Sequence, residues 1–341
     1  MFSQVIGQER PKRFLKQVMA CDRVPHAYLF TGMPGVGKTT TARALAMALN
    51  CLDARDREGC GQCPQCRRFM GGNYPDFTVM EPDGRSIKID QIRDLNRMIA
   101  FAPVAGQYRV CVIRGAETMT AEAGNAFLKT LEEPSPGNIF VLCATEPLDL
   151  LPTIVSRCQK VSFQPLAAEE ISGWLVREKG ENPETAAVLA RIAGGSLGRA
   201  LRMRESGFLG RREEWLLAVR TIPSLSGQEA VDAVVKCTEG GKRQGREIGI
   251  LDVLEVWQTW YRDLMLVKAC GPSDLLVNSD FSHQLISEAG GCKIKNLVQC
   301  VETLERAERE LNRMRNPKLV MTDAALRLWR LAGGREAVMP L

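Results

Sequence analysis

Residues Gly32 to Thr39, read as Gly-Met-Pro-Gly-Val-Gly-Lys-Thr, have the pattern of a phosphate-binding loop. Gly32 and Gly37 let the backbone curl with its N–H groups aimed at phosphate oxygens, Lys38 reaches the outer phosphates, and the Thr39 hydroxyl takes Mg²⁺. Gly35 and Thr40 complete the loop residues expected around ATP or ADP. The flanks agree: Ala27 to Thr31 predicts a short buried strand, and Thr40 to Leu49 a helix whose N-terminus faces the anion. Hydrolysis needs more than this cradle. In P-loop enzymes an Asp at the end of a second strand holds Mg²⁺ through water, and often a further acid orients the attacking water. Here the strand Val110 to Ile113 is followed by Arg114-Gly115, one residue of opposite charge and one with no side chain. Glu117 lies two residues beyond and is expected to be a surface carboxylate, since a role at the nucleotide would need an unusual loop path. The chain is thus equipped to hold a nucleotide and poorly equipped to hydrolyse it.

Cys51, Cys60, Cys63 and Cys66 form a second constellation, C-x8-C-x2-C-x2-C, in a stretch rich in Gly, Asp, Arg and Pro. Four soft thiolates at this spacing suit tetrahedral Zn²⁺, and with no position left open for water the site is expected to be structural. Free thiols or a redox pair are the alternative. The metal would tie an insertion that has too few apolar residues to fold alone. Of the 12 cysteines the other eight are scattered among apolar neighbours, and Cys111 and Cys143 fall inside predicted strands as small core residues.

These groups must be positioned by a substantial scaffold. The chain has 341 residues and is 45% hydrophobic, enough for two or three domains with buried cores. Its start, MFSQVIGQER, lacks a charged segment followed by an apolar stretch, and no long apolar run occurs, so a cytoplasmic protein with reduced thiols is expected. The net charge of +5, from 45 basic and 40 acidic residues, is too small to establish nucleic-acid binding.

Strands are predicted at 77–80, 109–113, 139–144 and 161–163, alternating with helices at 89–100, 121–131 and 152–156. This rhythm argues for an α/β domain with a parallel sheet covered on both faces. From Pro165 the pattern is helical only. Short helices at 168–179, 183–193 and 197–203 predict a small lid, and longer amphipathic ones follow at 211–221, 227–237, 248–269, 280–289, 293–314 and 318–331. In the segment 293–314 the apolar stripe runs through 297, 301, 304, 311 and 314. Trp174, Trp215, Trp257, Trp260 and Trp329 lie in these helices and are expected to anchor cores or interfaces rather than stack on bases.

Several segments together resemble the clamp-loader branch of the AAA+ ATPases, and within it the delta-prime subunits of bacterial DNA polymerase III. They are Val5-Ile-Gly-Gln8, His26-Ala-Tyr-Leu-Phe30, the four-cysteine insertion, Asn125 to Pro134 (NAFLKTLEEP) and Leu151 to Cys158 (LPTIVSRC). The resemblance covers essentially the whole chain. It implies an AAA+ P-loop domain at 1–163 with a zinc module at about 51–66, a helical lid at 164–206 and a helical collar at 207–335. It implies Val5 and Ile6 as further nucleotide contacts, Thr145 as a candidate phosphate-sensing residue, and Arg157 of Ser-Arg-Cys as an arginine finger supplied to a neighbour's ATP site. Gamma and tau motor subunits have an Asp-Glu pair where this chain has Arg114-Gly115, so the departure points to a delta-prime stator. Arg199 falls one residue away from the motors' second sensor. The implied partners are gamma/tau subunits and the delta subunit, with the sliding clamp and primed DNA reached through the assembled ring.

Overall fold

A computed structural model describes residues 1–333 apart from 22–23, 240–241, 244–245 and 248. The chain divides into two compact units, one of Met1–Gly180 with Ala193–Arg199, the other of Glu181–Ile192 with the chain from Ala200 onward.

In the first unit the elements run α1 (Glu9–Ala20), β1 (Ala27–Thr31), α2 (Lys38–Leu49), α3 (Pro64–Met70), β2 (Phe77–Met80), α4 (Ile89–Ile99), β3 (Arg109–Arg114), α5 (Ala121–Glu132), β4 (Asn138–Ala144), α6 (Pro152–Val155), β5 (Gln159–Ser162) and α7 (Ala168–Lys179). The strands form one five-stranded sheet in the order β2-β3-β4-β1-β5, every neighbour parallel. All residues of β1 and β4 are buried, as both-face coverage of a parallel sheet requires. Tyr28, Phe30, Val110, Val112 and Val141 pack on one face with Leu15 of α1, Leu45 of α2 and Phe69 of α3. Their neighbours Leu29, Cys111, Ile113, Phe140 and Leu142 pack on the other with Ile92 and Leu95 of α4 and Phe127 of α5. This is the α/β fold with a covered parallel sheet expected from the sequence, with a four-cysteine cluster inserted after α2. Cys111 and Cys143 are buried strand residues, as expected.

Two helices were absent from the sequence expectation. In α1 the buried residues Pro11, Leu15 and Met19 recur every four positions, with Pro11 in the first turn, where its missing N–H costs nothing. Helix α3 begins inside the cysteine cluster: Cys63 is its N-cap, accepting from the Cys66 N–H, and Pro64 takes the first helical position. Strand β5 starts two residues earlier than the apolar run indicated, because it pairs with β1 from Tyr28↔Gln159 to Thr31↔Ser162.

The second unit is built of helices, with a short antiparallel strand pair, Lys242–Arg243 with Arg246–Glu247. Pro183–Ile192 (α8) is followed by α9 (Leu197–Ser206), whose first turn belongs to the first unit, then α10 (Phe208–Thr221), α11 (Gly227–Glu239), α12 (Ile250–Lys268), α13 (Ser282–Gly291), α14 (Ile294–Asn312) and α15 (Pro317–Ala332). Helix α12 packs against α10, α13 and α14, and α15 against α11 and α14. Trp215, Trp257 and Trp260 are fully buried here, and the Trp257 indole N–H donates to the Trp215 carbonyl at 2.8 Å. Trp329 donates to the Leu225 carbonyl at 2.7 Å. These tryptophans are core anchors, as expected. The buried seam of α14 is Leu297, Cys300, Leu304 and Ala307; Met314 of the expected stripe lies beyond the helix and is exposed. No described helix is long and apolar enough to cross a membrane.

Candidate functional site

The C-terminal ends of β1, β3 and β4 converge on the phosphate loop. Ligands in open parallel sheets bind beyond these ends, where the strand order reverses direction, and β1 lies between β4 and β5. The Gly32 N–H donates to the Thr145 carbonyl at 3.0 Å, so the first glycine of the loop is tied to the residue that follows β4. A side chain at Gly32 would meet the Phe163 carbonyl oxygen at 2.7 Å. Gly37 is the N-cap of α2 with φ 107, a conformation that only glycine adopts without strain. Lys38 curls back so that its Nζ donates to the Gly32 and Met33 carbonyls, the latter at 3.1 Å. Burial lowers the Lys38 pKa, an effect opposed by Cys143 and Glu117. Thr39 is half-buried at the start of α2 and Thr40 is exposed, while burial pushes the Cys143 thiol of β4 up to about 12.

The N-terminal segment also reaches the loop. Val5 is buried, its Cγ1 3.8 Å from where a Gly37 side chain would begin, and Ile6 beside it is half-buried. Gln8 donates through Nε2 to the Gln164 carbonyl at 2.6 Å and accepts from the Gln164 N–H at 3.1 Å. From the other side Gly195 to Arg199 clasps the loop. Ser196 Oγ donates to the Pro34 carbonyl at 2.7 Å, and the Gly198 N–H to the Gly35 carbonyl at 2.9 Å. At Gly198 an added Cβ would stand 2.8 Å from the Gly35 Cα. The Gly198–Gly35 contact is therefore backbone on backbone, without a cationic side chain at position 198.

Arg114 ends β3 exposed and pairs with Glu81 after β2. Gly115 turns the chain through φ 61 and ψ 42 into a 3₁₀ turn at Ala116–Thr118, and this redirects Glu117. Its Oε1 accepts from the Thr145 hydroxyl at 3.2 Å, and its Oε2 is buried without a partner among the described residues. The structure therefore corrects the reading of Glu117 as a carboxylate on the open surface. Nothing in the local sequence distinguishes this turn from one that leads outward.

Arg157 follows α6 and is partly exposed. Its guanidinium donates to the Thr153 carbonyl at 3.0 Å, to Ser156 Oγ at 3.4 Å and to Glu132 Oε1 at 2.6 Å. Both members of the Arg157–Glu132 pair are open to water, at 36% and 50% exposure, so the pair is weak and easily exchanged for another anion.

The four cysteine sulfurs lie within 4.8 Å of one another, with Cys51 to Cys63 and Cys60 to Cys66 both at 4.0 Å. A tetrahedral ion with metal–sulfur bonds of about 2.3 Å would space them by about 3.8 Å. Backbone N–H groups point at the sulfurs: Cys60 to Cys51 at 3.2 Å, Cys63 to Cys60 at 3.3 Å and Cys66 to Cys63 at 3.4 Å. Burial raises the Cys63 thiol but is outweighed by the N–H donors of Cys66 and Leu52, which bring it down to about 6. Donors from Cys63 and Gln62 lower Cys60, while burial raises Cys51 and Cys66. Four sulfurs this close cannot all ionise by themselves, and a divalent cation among them removes that conflict.

A family profile described as DNA polymerase III, delta subunit, matches residues 7–167. The Bacillus subtilis DNA polymerase III subunit tau is 30% identical over 99% of this chain and 63% of its own length. The delta' subunit of the same organism is 39% identical over 54% of this chain and 56% of its own length. The chain thus spans less than two thirds of these relatives. Among solved structures, a gamma subunit-related protein of DNA polymerase III from Thermotoga maritima aligns over 93% of this chain and 99% of its own, with 17% identity and a TM-score of 0.39.

Proposed function

We propose that this chain, homologous to DNA polymerase III tau and delta' subunits, is a delta-prime-type subunit of a clamp loader. In this reading it is a stator that holds nucleotide without turning it over and presents Arg157 to the ATP site of a neighbouring gamma/tau motor. The observation that carries the reading is a complete phosphate loop beside a β3 end that supplies Arg114 and Gly115, with Arg114 drawn away by Glu81. A guanidinium spreads its charge over a planar fork and suits the charge that develops on a transferred phosphoryl group. The exposure of Arg157 and its weak hold on Glu132 are what such a role requires.

The three-domain division follows the same reading: nucleotide domain at 1–163, lid at 164–206, collar at 207–335. The collar would pack against gamma/tau and delta subunits, and exposed Leu217, Ile286, Met314 and Leu319 supply apolar surface for such contacts. The cysteine cluster would hold a structural Zn²⁺, and the loop ATP or ADP with Mg²⁺. Through the assembled ring the protein would act in the cytoplasm on the sliding clamp and primed DNA. Equilibrium ATP binding and steady-state hydrolysis on the isolated chain test the stator reading. Binding without turnover is expected; turnover by the pure chain would identify a motor instead, and failure to bind would leave a nucleotide-free scaffold.

A further inference from the structure

The end of β3 supplies no acid at Arg114 or Gly115, yet a carboxylate does reach the phosphate loop from the turn that follows. Buried Ala116 anchors that turn in the core beneath the sheet, so the direction of Glu117 is fixed by packing. Glu117 Oε1 is held by the Thr145 hydroxyl, and the Thr145 carbonyl in turn holds the Gly32 N–H. The acid is therefore two hydrogen-bonded steps from the first residue of the loop. Its second oxygen, Oε2, is buried with no donor among the described residues. A carboxylate oxygen in that state is unfavourable unless a cation or donor arrives to meet it. The two nearby fixed cations are otherwise engaged: Lys38 on the Gly32 and Met33 carbonyls, Arg114 on Glu81. On the opposite flank, Thr39 at the start of α2 offers the hydroxyl that such loops give to Mg²⁺.

We propose that Glu117 is the carboxylate that holds the Mg²⁺ of a bound nucleotide, in place of the acid missing from the end of β3. This rests on the proposal that the loop binds nucleotide, and it deepens it. Mg²⁺ keeps most of its waters and needs only one or two carboxylates beside the phosphates, so a single glutamate reached through a turn is sufficient. No second acid stands at Arg114 or Gly115 to orient an attacking water, so the arrangement secures a metal–nucleotide complex without equipping it for hydrolysis.

The test is equilibrium binding of a fluorescent ADP analogue to the full chain in EDTA and in millimolar Mg²⁺. Mg²⁺ should tighten binding to the wild-type chain at least about tenfold, a charge effect expected at a partly buried site. In Glu117→Gln the enhancement should fall to about twofold or less, while metal-free affinity stays the same or improves because a negative charge beside the phosphates is gone. Glu117→Asp, which keeps the charge on a shorter arm, should restore part of the enhancement, and Arg114→Ala should keep all of it. Full enhancement in Glu117→Gln overturns the proposal, as does a loss that is equal with and without metal, the mark of a merely structural role. A wild-type chain that binds equally well in EDTA overturns it and leaves the nucleotide reading standing, whereas no binding in either condition overturns both.

Discussion

Gly35 is the point at which the phosphate loop and its clasp are most tightly coupled, and Gly35→Ala should expose that coupling. Its φ is 79, and an added Cβ would stand 2.4 Å from Ser196 Oγ and 3.1 Å from the Gly198 Cα. The backbone term is about 1–2 kcal/mol for placing an L side chain in the left-handed region. Forcing a methyl group into a filled space adds about 1–3 kcal/mol. The substitution should therefore destabilise the α/β unit by about 2–5 kcal/mol, on the sum of these two terms. Ser196→Ala removes the nearest clashing atom together with its 2.7 Å bond to the Pro34 carbonyl, and alone should cost about 1 kcal/mol. In that background Gly35→Ala should cost mainly the backbone term, a coupling of about 1–3 kcal/mol between the two sites. Native-state hydrogen exchange of β1 and β4 in increasing denaturant reads the unit containing the sheet separately from the rest of this two-unit chain. Additivity of the two substitutions to within about 0.5 kcal/mol would refute the steric argument.

Two further outcomes follow from the geometry. Elemental analysis of the purified chain should find about one zinc, as a four-thiolate site predicts, and chelation should open the segment 51–66 to proteolysis; a metal content near zero with the segment still resistant would contradict the assignment. Asp76 is fully buried, accepts from the N–H groups of Val104, Ala105 and Gly106 at 2.8, 2.6 and 3.2 Å, and faces Arg109 at 3.4 Å. Asp76→Ala leaves that guanidinium buried without its counter-charge and should cost about 3–5 kcal/mol in hydrogen-exchange stability of β3; less than about 1 kcal/mol would show that water replaces the carboxylate.

The sheet was legible because its strands are short apolar runs bounded by turn residues, and β2 and α7 lie at the expected residues. The loop Gly32 to Thr39 and the four cysteines were legible because their chemistry fixes both residue type and spacing. Helix α1 was missed although Pro11, Leu15 and Met19 carry its period, since charged residues surround the stripe and no side chain caps its start. Helix α3 is masked by the Gly-, Asp-, Arg- and Pro-rich composition around the four cysteines, yet the Cys63-Pro64 step is an N-cap followed by a proline. The placement of Glu117 was not legible at all. It depends on the left-handed turn at Gly115 and on Ala116 finding the core, both consequences of tertiary packing rather than of local pattern.

The chemistry that this chain is proposed to serve takes place in a neighbour's site through Arg157. A loader reconstituted from gamma/tau, delta and this chain, with and without Arg157→Ala, tests it by DNA-stimulated ATP hydrolysis at matched ring assembly. An intact ring is expected, with hydrolysis reduced by at least the share of the one motor site that Arg157 would adjoin, since a missing finger slows its site by about a thousandfold or more. Hydrolysis at the wild-type rate in a ring carrying Arg157→Ala would contradict it.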